Sequence, residues 1–446
     1  MFNDKNRFAV IGLGETGLSI IGYLKYKKAN IVKVLDTRSN PPNQEKIRDL
    51  TLKTGPLSEN VFDDVDIIVI SPGVSIYEPL LQNAIHNGKK VLGDIELFAL
   101  AIKDWKSAVI GITGSNGKTT VTSLTGHLSQ QYGYATLVAG NIGTPVLDSY
   151  LEIIQNGNIP KVIVLELSSF QLETTYSLKL VSAVTLNISE DHLDRYRDLL
   201  EYAYVKANIF NNCDVEVLNA DDPIVRSMTR HNKKIEWFGE DSSNAFTVSG
   251  NELVIDKKNY LPCNELNLVG RHNYYNVLAS LALLKAAGID IYSDKIKNGL
   301  KSFQGLEHRM QKITTHNGIL YVEDSKGTNV GAVVAGLSGL DCKVHLILGG
   351  DGKGQDFSPL RSLVEKRCNS VAIIGQDKLA IQKVLEGLDL PIELFNTLQE
   401  AVKFCSKNAK SGECVLLSPA CASWDMFDNY KHRAQVFVES VYANIV

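Results

Sequence analysis

The stretch GITGSNGKTT, residues 111–120, follows a β-branched run and opens a helical pattern. It departs from the strict phosphate-loop pattern, which needs a glycine six residues before the lysine, because Ile112 stands there. The core G-x-x-G-K-T survives at 114–119. Glycines let backbone N–H groups curl round an anion, and a helix N-terminus adds a favourable dipole. Gly114, Ser115, Asn116, Gly117 and Thr120 are therefore candidates to cradle the phosphates of ATP. Lys118 would neutralise the β- and γ-phosphates, and the Thr119 hydroxyl would hold Mg²⁺.

A second glycine loop lies in RFAVIGLGETGLSIIGYL, residues 7–24, with Gly12, Gly14 and Gly17 in G-x-G-x-x-G spacing. Asp36 follows the next strand, where a dinucleotide-binding unit places its ribose ligand. Three readings stay open on these residues alone: NAD, another phosphate-bearing nucleotide, and a bare tight turn. Glu15 argues against a bound pyrophosphate unless its side chain turns to solvent. Arg38, beside Thr37, is able to pair with a phosphate.

Other chemistry-bearing residues also follow apolar runs. Glu166 ends VIVLE, where a buried carboxylate is costly unless paired or metal-bound; with Thr119 it would bind one Mg²⁺. Asp191, His192 and Asp194 follow SAVTLNI. A histidine there is more often structural than a ligand. Lys206, in YVKANIF, reads alone as a solvated helical lysine. Near the C-terminal third, LEHRM carries His308 and Arg309, and YVEDSKGTN carries Asp324, Ser325, Lys326 and Thr328. GGDGKGQ carries Lys353, and SPACASWDMFDNY carries Ser418, Ser423 and Tyr430. These loops are expected to share one strand-end edge of one sheet, where lysines and hydroxyls suit an anionic small molecule. Lys326 and Arg309 are also candidates to reach an ATP γ-phosphate.

The elements that must position these groups alternate between strands and helices, which implies parallel sheets wrapped by helices. The theme restarts twice. The expected architecture is three α/β domains: 1–102, Rossmann-like; 103–305, a central P-loop-type ATP-binding domain; and 306–446, again Rossmann-like. The 446 residues are 44% hydrophobic and 22% charged, as in an ordinary globular protein. A net charge of −4 gives no reason to expect a nucleic-acid partner. Seven dispersed cysteines without a C-x-x-C pair indicate neither a zinc site nor a disulfide framework, and fit a reducing compartment. With no long apolar run and a strand almost at the N-terminus, no membrane span and a cytoplasmic location are expected. A monomer is the separate expectation for the assembly.

Twelve motifs in order cover essentially the whole chain: GLGETGLS, DTR, SPGV, GDIELF, GITGSNGKTT, GNIGTP, LELSSFQLE, NISEDHLDRY, GRHNYYN, DSKGTN, GGDGK and SPACASWD. Together they resemble the Mur ligase family of peptidoglycan synthesis, whose phosphate loop also lacks the glycine replaced by Ile112. The resemblance implies an ATP-dependent amide ligase, and DSKGTN with SPACASWD favours the branch that joins D-glutamate to UDP-N-acetylmuramoyl-L-alanine. It gives the first glycine loop to the uridine diphosphate end of that substrate rather than to NAD, with Gly14, Glu15, Thr16, Asp36, Thr37, Arg38 and Gly73 lining the site and Glu15 making its contact through backbone. Asn141, Ser168 and His192 would also touch this substrate. It implies two Mg²⁺ sites, one on Thr119 and Glu166, the other on His192 and a carbamylated Lys206. Asn273, Asn276, Arg309 and Asp324 match ATP contacts. Lys326, Thr328, Lys353, Ser423, Trp424 and Tyr430 fall where D-glutamate binds; the family often has Leu at 424 and Phe at 430. The catalytic residues implied are Lys118, His192, Lys206 and Lys326.

Overall fold

A computed structural model describes residues 5–189, 191, 195–230, 232–268 and 270–445. Among these residues the strands form three sheets. The first contains β1 (Arg7–Ile11), β2 (Asn30–Asp36), β3 (Leu52–Thr54), β4 (Ile67–Ile70) and β5 (Lys90–Leu92), in the order β3-β2-β1-β4-β5. Its pairings are parallel. Successive residues of a strand face opposite sides, and here each side has its own core. Ala9, Ile11, Ile68 and Ile70 join one cluster, whereas Phe8, Val10, Ile67 and Val69 join another. Burial on both faces explains why β4 reads IIVI without polar alternation.

The second sheet contains β6 (Ala108–Thr113), β7 (Thr136–Gly140), β8 (Val162–Glu166), β9 (Leu180–Thr185), β10 (Cys213–Asn219), β11 (Lys234–Phe238), β12 (Phe246–Ser249), β13 (Glu252–Ile255) and β14 (Lys258–Pro262). Their order is β14-β13-β12-β11-β10-β9-β6-β8-β7. The pairings from β7 to β12 are parallel. β12 and β13 form an antiparallel hairpin that strand–helix alternation does not announce. The third sheet contains β15 (Gln311–His316), β16 (Ile319–Glu323), β17 (Val344–Gly349), β18 (Cys368–Ile374), β19 (Ile392–Leu394) and β20 (Cys414–Leu417), in the order β15-β16-β20-β17-β18-β19. Only β15 runs antiparallel in it.

The chain forms two compact units, residues 1–260 with 277–299, and 261–276 with 300–446. In the first, one apolar cluster takes residues from both sheets, for example Val10 and Val69 with Ile163 and Leu165. The second unit has one core on each face of its sheet. All seven cysteines are free thiols; six are buried and Cys342 is half-buried. A hydrogen bond with Cys414 pulls the Cys342 thiol down to about 7. Among the described residues no helix is long and apolar enough to cross a membrane.

Candidate functional site

In the first sheet the direction of winding reverses between β1 and β4, so the loops after these strands flank a crevice. The crevice is a cavity of about 690 Å³, within the range of small-ligand sites. Gly14, Glu15, Thr16, Asp36, Thr37, Arg38, Gly73 and Asn141 line it together with Ser71, Asp94 and Gln171. The three fingerprint glycines have different work. Gly12 has φ +92°, and a Cβ there would stand 2.9 Å from the Ser71 side chain. At Gly17 a Cβ would lie 1.9 Å from the Gly12 carbonyl oxygen. Gly14 has no atom within 4 Å of that position, so its bareness keeps space open. It caps helix Glu15–Tyr26 without a side-chain hydrogen bond, leaving first-turn N–H groups for an anion.

Asp36 braces this loop. Its carboxylate accepts the Leu13 N–H at 2.8 Å and two guanidinium bonds from Arg38 at 2.8 and 2.7 Å. The Arg38 hydrogen bonds hold its carboxyl down at about 2. Across the cavity Asp94 is only 4% exposed. One of its oxygens accepts from the Gln171 amide at 3.1 Å, and the other, Oδ1, has no hydrogen-bond partner among the described residues. Burial pushes Asp94 up to about 6. Ser168 is not among the cavity-lining residues. Its hydroxyl instead caps the short helix Ser169–Leu172, in a reciprocal arrangement with Gln171.

The loop after β6 carries the phosphate-loop residues. Gly114 at φ +150° and Gly117 at φ +83° make the turn into helix Lys118–Tyr132. The loop is stapled to the chain after β9: Ser115 N–H donates to the Asn187 carbonyl at 2.9 Å, Asn116 N–H to Asn187 Oδ1 at 2.8 Å, and Ser189 N–H to Ser115 Oγ at 2.9 Å. Lys118 Nζ donates to the carbonyls of Gly114 and Ser115 at 2.7 and 2.9 Å. Thr119 and Thr120 lie half-buried in the first turn.

Glu166, at the end of β8, is 2% exposed. Its Oε1 accepts the Asn141 amide at 3.0 Å; its Oε2 has no hydrogen-bond partner among the described residues. A buried carboxylate oxygen without a donor suits a hard divalent cation. Lys206 corrects the expectation of a solvated side chain, being 1% exposed. Its Nζ donates to the Gly114 carbonyl at 3.0 Å and sits 4.6 Å from the Tyr202 ring centre. Burial, then the nearby Lys118 charge, lower its pKa well below the usual lysine value. An amine that loses its proton so readily is a nucleophile for CO₂, and a carbamate made there would add oxygen ligands. Among the described residues no cluster of three or more His, Cys, Asp or Glu forms a ready-made metal site. His192 and Asp194 lie outside the described residues.

In the second unit DSKGTN, GGDGK and SPACASW follow β16, β17 and β20, which are parallel neighbours, so the three loops share one sheet edge as expected. Asp351 and Ala422 bridge two of them. Asp324 accepts the Ser418 hydroxyl at 2.7 Å and the Met310 N–H at 3.2 Å, and burial pushes it up to about 7. Lys326, Lys353, Arg309 and Trp424 are exposed, Thr328 and Tyr430 half-buried, and Ser423 buried. Lys326 Nζ stands 5.5 Å from the Tyr430 ring centre. His308 packs edge-on against the same ring and meets Glu323 at 2.9 Å. Arg309 is flanked by His308 at φ +65° and Met310 at φ +44°, a strained backbone of the kind that collects at functional sites. Asn276 donates to Asn273 at 2.9 Å; both are buried.

Comparison with known proteins agrees with this organisation. Residues 6–93 match the Mur ligase MurD-like N-terminal domain, 112–284 the Mur ligase middle domain and 308–421 the Mur ligase glutamate ligase domain. The UDP-N-acetylmuramoylalanine–D-glutamate ligase of Chromobacterium violaceum is 45% identical over 444 residues, 97% of each chain. The protein of the same name from Haemophilus influenzae is 43% identical over 98% of each. The chain belongs to the Mur ligase family. Two solved structures share the fold: UDP-N-acetylmuramate-alanine ligase MurC from Thermotoga maritima (TM-score 0.57, 19% identity, 98% of this chain and 99% of that one) and MurF ligase from the same organism in complex with ADP (0.58, 15%, 100% and 96%).

For a Mur ligase the dinucleotide reading of the first loop falls away. Several residues escaped sequence reasoning. Asp94 and Gln171 stand in quoted motifs, yet nothing local aims them at a cavity. Arg433 is fully buried and donates to the Ser325 hydroxyl and carbonyl and to the Cys421 carbonyl at 2.9, 2.8 and 3.1 Å, tying two loops of the sheet edge together. Lys206 did carry a signal. Leu199, Tyr202, Ala203 and Lys206 are spaced i, i+3, i+4, i+7 on helix Leu199–Ala207, which puts the lysine on the apolar face.

Proposed function

We propose that this Mur ligase adds D-glutamate to UDP-N-acetylmuramoyl-L-alanine at the expense of ATP, in the cytoplasm. One observation carries the reading furthest: a phosphate-type loop, a half-unpartnered Glu166 and a deprotonation-prone Lys206 surround the same turn, beside a nucleotide-sized cavity. The relatives' shared name supplies the substrates. The cavity takes the uridine diphosphate end, its pyrophosphate on the uncapped turn after Gly14. Gly114–Thr120 take the ATP phosphates, with Asn273, Asn276, Arg309 and Asp324 as further ATP contacts. Lys326, Thr328, Lys353, Ser423, Trp424 and Tyr430 take D-glutamate.

The alanyl carboxylate attacks the γ-phosphorus, ADP leaves, and an acyl phosphate forms. The D-glutamate amine then attacks the acyl carbon, and the tetrahedral intermediate collapses with loss of phosphate. Lys118 and Lys326 balance the charge that builds on the transferring group. His192 is the candidate to accept the amine proton. Thr119 and Glu166 would hold one Mg²⁺, and His192 with carbamylated Lys206 a second; when bound, these ions neutralise phosphate charge. We take 1–102, 103–305 and 306–446 as the functional divisions, and a monomer as the working state.

Phosphate release from ATP is the test. It is expected only when Mg²⁺, UDP-N-acetylmuramoyl-L-alanine and D-glutamate are all present. Release with another amino acid and not with D-glutamate would overturn the assignment of the second unit; none with any acceptor would overturn the ligase itself. For the carbamate, Lys206→Ala should lose activity and recover part of it with a small carboxylic acid. A variant as active as the wild type counts against it.

A further inference from the structure

Between the two sheets of the first unit lies an ion pair that none of the roles above uses. Arg195 is held on every edge. Its Nε donates to Glu173 Oε1 at 3.1 Å and its Nη2 to Glu173 Oε2. Its Nη1 donates to the Pro72 carbonyl at 2.9 Å and Nη2 to the Val74 carbonyl at 3.0 Å. The guanidinium carbon stands 3.9 Å from the Phe170 ring centre. The Tyr196 hydroxyl donates to Glu173 Oε1 at 2.7 Å. Side-chain exposure is 8% for Arg195 and 1% for Glu173.

Pro72 and Val74 are the neighbours of Gly73, and Ser71 to Val74 form one wall of the nucleotide cavity. Glu173 lies two residues beyond Gln171, which lines the cavity from the short helix Ser169–Leu172 that follows β8. One guanidinium therefore fixes the loop after β4 and fastens it to the segment that carries Gln171. We infer that Arg195 is a positioning residue for the nucleotide substrate, setting two walls of its cavity in register through Glu173 and the carbonyls beside Gly73. The inference rests on the function proposed above.

The chemistry of the pair favours this role over simple stabilisation. A buried ion pair adds little net stability compared with apolar residues of the same volume. A planar fork of five donors, however, is suited to reach a carboxylate and two carbonyls at once. A lysine keeps the charge and loses the fork.

The test compares the full-length wild type with Arg195→Lys and Arg195→Met. Binding of UDP-N-acetylmuramoyl-L-alanine and of Mg·ADP is measured by calorimetry, and KM and kcat are measured for each substrate. Both variants are expected to bind the nucleotide sugar about tenfold or more weakly. KM for that substrate should rise in step, while Mg·ADP affinity stays within about twofold and kcat at saturation within about threefold. Should the Met variant fail to fold, the Lys variant carries the comparison. A folded Arg195→Lys with wild-type affinity and KM overturns the inference. So does an equal loss of both ligands, which is what a merely structural residue would give. A wild type that takes up no nucleotide sugar defeats the functional reading first, and this inference with it.

Discussion

Asp94, Glu166 and Lys206 are ionisable groups that the first unit removes from water, and one oxygen of each carboxylate has no hydrogen-bond partner among the described residues. Burial favours the neutral forms of Asp94 and Lys206, and a site can then use the proton or the lone pair so released. Asp94 offers a direct check. Its carboxyl is pushed up to about 6 in the folded chain, against about 3.9 when unfolded. A raised folded value gives stability that is full below the unfolded value and is lost as pH rises through the folded one. The loss amounts to up to about 3 kcal/mol. Asp94→Asn has no such proton, so its stability relative to wild type should climb by about that amount between pH 4 and pH 8. Paired urea titrations at the two values measure it; a constant difference would refute the assignment. Residue types were legible in the sequence, as Lys118, Glu166 and Asp36 demonstrate. What burial does to them was not. Lys206 reads as a surface lysine on its own; its spacing with Leu199, Tyr202 and Ala203 marks the apolar face, but its partner Gly114 belongs to a turn that only the folded chain brings to it.

At the scale of elements, the same strand–turn–helix unit is built twice, after β1 and after β6, and each time glycine spacing between an apolar run and a helical pattern gave it away. Spacing does not say which glycine serves the fold and which the ligand. Gly17→Ala would press a methyl against the Gly12 carbonyl and should lower stability by roughly 2–4 kcal/mol. Gly14→Ala meets nothing, so it should melt near the wild type yet bind the nucleotide sugar less well. Thermal melts and calorimetry on the two variants separate these outcomes, and a Gly17→Ala protein as stable as wild type would contradict the geometry. Strands buried on both faces, such as β4 and β20, were easy to read as unbroken apolar runs. The hairpin of β12 and β13 was not, because four-residue strands at a sheet's end carry little pattern.

For the whole molecule, three repeats of strand–helix alternation foretold three sheets. The sequence could not show that two of them share one apolar cluster while the third keeps its own cores. The cores on the two faces of the third sheet draw their buried residues from Met310 to Val441. A fragment of residues 306–446 should therefore fold alone and unfold in a single sigmoidal urea transition. A broad, non-cooperative loss of ellipticity would instead mean that residues 261–276 are needed to complete it. The cysteines have a practical consequence. Six of the seven thiols are shut away, and the half-buried Cys342 is drawn towards ionisation near neutrality. Thiolate, not thiol, attacks maleimides. At pH 7 the unaltered protein should take up about one dye per chain, found by mass spectrometry at Cys342. That gives the second unit a fluorescent reporter without engineering, ready for titrating amino acids or screening inhibitors.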